Sequence, residues 1–174
     1  MKISLLLIIA MIAFAFSARA ADFRSVRLED GSRKLTVLRS DGTRLVVSKT
    51  DGQDSFEKPK ISKDHLHLGW LALYPGQGAS YSQPLDLIVI DSSGRTGHFW
   101  GDFGMVFQWC FAERANVVVY RFEFPHGSTP VGFEMRNLSD HKLIHRFVLE
   151  PNTTDVPDVQ VLRVKAPTWT RCAQ

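Results

Sequence analysis

The chain has 174 residues, 44% of them apolar and 22% charged, with a formal net charge of +3. That balance describes a globular protein with a sizeable core, and it excludes a disordered chain or one that folds only around a metal or a dense disulfide framework. The basic residues are scattered among acidic ones, so no concentrated basic face exists to gain from counterion release, which argues against nucleic-acid binding.

The first element is a predicted signal peptide over residues 1–20. Lys2 precedes an apolar run from Ile3 to Phe16, and Ser17-Ala18-Arg19-Ala20-Ala21 supplies a small-residue cleavage site. The run is about 14 residues, short of the ~20 that a membrane-spanning helix needs. No cysteine follows it to carry a lipid. The expected mature chain begins near Ala21 as a single domain over residues 21–174, destined for the periplasm or for secretion. Cleavage removes Lys2 and Arg19 and no acidic residue, leaving a net charge of +1.

Beyond residue 20 the pattern is alternating and rich in turn signals. Lys34–Arg39 and Arg44–Ser48 flank Asp41-Gly42, a strong hairpin signal because glycine accepts the positive φ of a tight turn. Lys49–Lys60 is polar and reads as a long connection. Leu66–Tyr74 reads as a strand, Pro75–Pro84 as a surface loop, and Leu85–Ile90 as a second strand ended by Asp91-Ser92-Ser93-Gly94. Gly101-Asp102-Phe103-Gly104 reads as a turn. Met105–Phe111 and Val117–Phe124 form a predicted hairpin. In the first arm Phe107, Trp109 and Phe111 are expected on the buried face; in the second, Val118, Tyr120, Phe122 and Phe124 share one face. Val131–Arg136 and Leu143–Leu149 make a last hairpin around Asn137-Leu138-Ser139-Asp140. The tail from Asp155 to Lys165 could open as a helix, with Pro157 just inside its start, but its valines favour extended structure. The expected fold is all-β: antiparallel hairpins in a meander, packed as a small β-sandwich or a partial, propeller-like domain.

Cys110 and Cys172 are the only cysteines. In an oxidising compartment such a pair is most simply a disulfide, here tying the tail to a central strand. It would close a loop of about 60 residues, worth roughly 4 kcal/mol by loss of unfolded-chain entropy.

A repeat runs through these elements. Ile61-Ser62-Lys63-Asp64, the strand after it, Leu85–Ile90 and the turn at Asp91 are followed about fifty residues later by Glu113–Asn116, an apolar strand, Val131–Arg136 and the turn at Asn137. Ile61-Ser62-Lys63-Asp64 resembles the opening of the WD40-like repeats in TolB-type periplasmic β-propellers, and Asp91-Ser92-Ser93-Gly94 is similar to their closing turn. His65 stands where those repeats usually have glycine, and the second unit lacks the Ser-x-Asp. The resemblance implies a β scaffold used for interaction. At roughly 40 to 50 residues per blade, and four to eight blades per ring, one chain of this length does not close a propeller, which favours an open meander or sandwich.

No catalytic or cofactor-binding motif stands out. His65 and His67, two apart on an expected strand, would share a face, but no third ligand has metal-site spacing with them, His98 or His126. Asp102, His126 and several serines lack the Gly-x-Ser-x-Gly elbow of a hydrolase, and Asp102-Phe103-Gly104 stands without any other kinase element. The aromatic residues carry the best signal. Tyr74, Tyr81 and Trp100 fall at strand ends or in loops, where aromatic side chains meet partners or sugars, and His126 lies in a neighbouring loop. The expected function is a non-enzymatic domain that binds another envelope or secreted protein. An envelope-glycan or small-ligand binder is the alternative, and a secreted hydrolase of unfamiliar type a second one.

Overall fold

The computed structural model describes residues 21–76, 78, 80–113, 116–124, 130–149 and 166–174. The expected signal peptide, the tail from Asp155 to Lys165 and His126 lie outside the described residues. Among the described residues eleven strands follow in chain order: β1 Phe23–Glu29, β2 Lys34–Arg39, β3 Arg44–Val47, β4 Ser55–Ile61, β5 His67–Pro75, β6 Ser82–Asp91, β7 Thr96–Phe99, β8 Met105–Phe111, β9 Val117–Glu123, β10 Val131–Asn137 and β11 Leu143–Leu149. A 3-10 turn, Thr168–Ala173, follows them. The fold is all-β.

Every strand pairs antiparallel with its chain neighbour inside one of three sheets: β1–β2–β3, β4–β5–β6–β7 and β8–β9–β10–β11. Side-chain acceptors set the turns. Asp41 Oδ1 accepts from the Thr43 amide at 2.9 Å, Asp91 Oδ1 from the Ser93 and Arg95 amides at 2.9 and 3.0 Å, and Asn137 Oδ1 from the Ser139 amide at 2.7 Å. In each case a short polar side chain replaces a backbone acceptor and closes the chain on itself. The two turns of the sequence repeat thus occupy matching places, each after the third strand of a four-stranded meander.

The sheets stack face to face in chain order. Phe23, Leu35 and Val37 of the first sheet pack on Phe56, Leu68, Trp70 and Ile88 of the second. The opposite face of the second sheet, with Leu71, Leu87, Val89 and Phe99, packs on Val106, Trp109, Val118, Tyr120 and Phe122 of the third. The outer face of the third sheet, with Val119, Val131 and Phe133, lies beneath the 3-10 turn through Ala173 and Trp169. Neighbours such as Trp70 and Leu71 point to opposite sides of a strand, so two-sided burial explains why β5 and β6 read as apolar runs. The disulfide between Cys110 and Cys172 is formed, with Cα atoms 5.8 Å apart, and fastens the 3-10 turn to β8.

Several expectations needed correction. Residues 49–60 are not all connection, because β4 begins at Ser55. This edge strand buries only Phe56 fully and carries Lys58, Pro59 and Lys60, the charged and ladder-breaking residues that protect sheet edges and hide a strand from hydropathy. Lys58 Nζ donates to the Phe107 carbonyl at 2.7 Å, and the Trp109 indole donates back to the Lys58 carbonyl at 3.1 Å, tying β4 to β8. Phe107, Trp109 and Phe111 do not share one fully buried face. The register slips between Val106 and Gln108, so Met105 and Val106 are both buried and Phe107 only half-buried. Phe124 lies past the end of β9 and is 40% exposed, rather than joining Val118, Tyr120 and Phe122 in the core.

An aromatic ledge as candidate functional site

Exposed apolar side chains gather at the end of the second and third sheets where β7 hands over to β8. Trp100, the residue after β7, is 61% exposed, although Phe99 before it is buried. The connection Trp100–Gly104 is held from below by Phe122. A Cβ at Gly101 would overlap the Cβ–Cγ end of Phe122 and one at Gly132 its Cζ end, so two glycines make room for this side chain and let the connection come down onto the sheet. Phe103 then packs edge-on against Phe122, with centroids 4.9 Å apart, and stacks on Phe124 at 5.5 Å and 20°. Phe122, Phe103 and Phe124 thus form a stair of rings from the dry core to the surface, and Trp100 caps the same connection.

Beneath the stair lies a buried polar cluster that sequence reasoning did not single out. Glu134 of β10 is fully buried and is paired in register with Tyr120 on one side and Arg146 on the other. Its Oε2 accepts from the Tyr120 hydroxyl and from Arg136 Nε at 2.7 Å; its Oε1 lies 3.8 Å from Arg146 Nη1. Arg136 Nε also reaches the Tyr120 oxygen at 3.0 Å. Two contacts leave this cluster for the ledge: the Tyr120 hydroxyl lies 3.1 Å from the Trp100 carbonyl, and Arg146 forms an ion pair with Asp102. Burial, then the neighbouring Glu134 carboxylate, push the Tyr120 phenol far above its ordinary pKa, so its proton is always available to donate. Burial alone would lower the Arg136 pKa; the hydrogen bond to Glu134 reverses that and raises it. The one buried carboxylate, Glu134, is met by two guanidiniums that reach partly into solvent, as burial of a charge requires. The sequence signal was a glutamate inside the apolar strand Val131–Met135; its meaning needed the register that sets it beside a tyrosine and an arginine.

The residues expected to bind are not gathered into one site. Trp100 belongs to the ledge. Tyr81 is 49% exposed in the β5–β6 connection, at the same end of the second sheet by register. Tyr74 sits across β6 from Trp100, packed against the core between the first two sheets, with its hydroxyl 2.9 Å from Thr50 Oγ1. His65 and His67 do not share a strand face. His65 is in the turn before β5, with φ of 61° and its Nδ1 2.8 Å from the Phe23 carbonyl oxygen, whereas His67 opens the strand. His98 is 2.6 Å from Asp86 Oδ2. Burial raises the Asp86 pKa, and His98 opposes that rise. Among the described residues no group of three or more His, Cys, Asp or Glu side chains is placed to hold a metal ion.

A smaller polar cavity of about 190 Å³ opens at the opposite end of the interface between the second and third sheets, between the Asp91 and Asn137 turns. His67 and His141 line it. The Asp91 oxygens there are already taken by Ser93 and by Arg95. Burial would raise the Asp91 pKa, but these hydrogen bonds prevail and hold it at about 2. With its carboxylate engaged by its own turn, this cavity has the makings of a structural joint. No protein-family model and no curated protein matches the chain.

Proposed function

We propose that the protein is an exported, non-enzymatic binding domain that docks another envelope or secreted protein through the Trp100 ledge. The observation that carries this reading is a tryptophan 61% exposed on a connection clamped to the core. Exposed tryptophans are favoured anchors of protein interfaces, and a pre-positioned one loses little conformational entropy on binding. Export is supported by the apolar leader with its Ala-x-Ala site and by the Cys110–Cys172 bond, since such bonds persist in oxidising compartments. Among the described residues no helix is long and apolar enough to cross a membrane. The stacked four-stranded meanders and the resemblance to TolB-type repeats support an interaction scaffold.

The test is to capture the partner by crosslinking in the native host, identify it by mass spectrometry, and titrate it against purified protein. Trp100→Ala is expected to weaken binding at least tenfold, on the order of the 2 kcal/mol of an interface hot spot, while Tyr74→Phe leaves it unchanged. Equal affinities for Trp100→Ala and wild type would refute the ledge as the contact. A second reading, an envelope-glycan binder, is favoured by the exposure of both Trp100 and Tyr81 at one end of the second sheet. Quenching or a shift of tryptophan fluorescence on adding cell-wall fragments would support it.

A further inference from the structure

We infer that Glu134 is the positioning residue of the ledge: this buried carboxylate fixes where Trp100 is presented, through Tyr120 to the Trp100 carbonyl and through Arg146 to Asp102. The inference deepens the proposed function and rests on the ledge being the binding surface. Glu134 is fully buried, and each of its two oxygens faces a different arm. Oε2 and the Trp100 carbonyl, the latter at 3.1 Å, both face the Tyr120 hydroxyl and share its single proton in a three-centre bond, so Glu134 sets how that proton is aimed at the connection. Oε1 makes no hydrogen bond but lies 3.8 Å from Arg146 Nη1, an ion pair by charge alone, and Arg146 pairs in turn with Asp102 two residues further along the same connection. Arg136 locks the arrangement by donating to both Glu134 and Tyr120, at 2.7 and 3.0 Å. A three-residue stretch, Trp100–Asp102, is therefore held at both ends by groups converging on one carboxylate. Such a carboxylate is not needed to fill space in a β interface, because apolar residues of similar volume are commonly as stabilising as a buried ion pair. What an apolar residue there would not supply is a polar hold on two points of a surface connection.

The test reads the unbound protein, so its outcome is independent of whether the ledge binds a protein, a glycan or nothing. Protein labelled with 5-fluorotryptophan gives fluorine NMR signals for its tryptophans, with Trp100 assigned from Trp100→Phe and Trp70, in the other core, from Trp70→Phe. Glu134→Gln and Tyr120→Phe are each expected to shift or broaden the Trp100 signal while the Trp70 signal stays in place. Asp102→Asn alters a 59% exposed side chain at the surface end of one arm, so it provides a folded variant even if Glu134→Gln does not fold. It is expected to move the Trp100 signal in the same way. A Trp100 signal unmoved in either Tyr120→Phe or Asp102→Asn, or one that moves only together with Trp70, overturns the inference.

Discussion

The second and third sheets are the same meander built twice, and they differ most where they correspond. In the second sheet the fourth residue of β5, Trp70, pairs with Ile88; in the third, the fourth residue of β9, Tyr120, pairs with Glu134. Both aromatic side chains face the preceding sheet, Trp70 toward the first and Tyr120 toward the second. The Trp70 interface is apolar, whereas the Tyr120 interface holds a carboxylate and its two arginines below an exposed tryptophan. The architecture therefore tolerates an apolar pair at this position. The tyrosine–carboxylate pair stands on the side of the molecule that carries the ledge.

The largest expected effect comes from breaking that pair. Glu134→Ala opens a cavity at a fully buried position and removes the acceptor shared by Tyr120 and Arg136, and should cost about 3–5 kcal/mol in denaturant unfolding. A loss below about 1 kcal/mol would mean that the cluster is solvated and not the hinge of the comparison. Next, the disulfide staples the outer face of the third sheet alone. Relative to wild type, the double variant Cys110→Ala/Cys172→Ala should lose about 2–4 kcal/mol of unfolding stability, and hydrogen exchange should quicken at β8 and β9 before β5. Uniform quickening would place the staple's effect on the whole chain instead. Gly132→Ala sharpens the view of the ledge itself: the added methyl meets the Phe122 ring, and overpacking should cost about 1–3 kcal/mol by thermal unfolding.

The smallest effect separates the two matching turns. Asp91 closes the turn of the second sheet and Asn137 that of the third. A carboxylate held at about 2 contributes stability that is present above the ordinary aspartate range near 4 and is lost as the pH falls toward 2. The Ser93 and Arg95 amide shifts should titrate with a midpoint of about 2, while the Ser139 amide, bonded to neutral Asn137, does not follow. Parallel titration of Ser93 and Ser139 would remove this distinction.

How much of this was legible depended on the reach of each signal. The Asp41-Gly42 hairpin, the Asp91 turn and the apolar runs of β5, β6, β9 and β10 are local, and the chain shows them openly. β4 hid because an edge strand with Lys58, Pro59 and Lys60 has few buried positions to reveal its period. β1 hid for a similar reason, with Phe23 its only fully buried side chain. Trp100 was found as an aromatic outside a strand. The stacking of Phe103 on Phe124 was not legible, because it depends on two glycines distant in sequence admitting Phe122 between them. Glu134 was invisible for the same kind of reason: a lone glutamate in an apolar strand acquires a role only when strand register supplies Tyr120 and Arg146.

The most direct measurement is site-specific photocrosslinking in the native host, with the photoreactive residue placed in turn at Phe124 on the ledge and at Val46, which is more open and lies on the first sheet. The account predicts a discrete adduct with one partner protein from position 124, absent from position 46 and lost when Trp100→Ala is added. No adduct from position 124, or the same adduct from position 46, would contradict it.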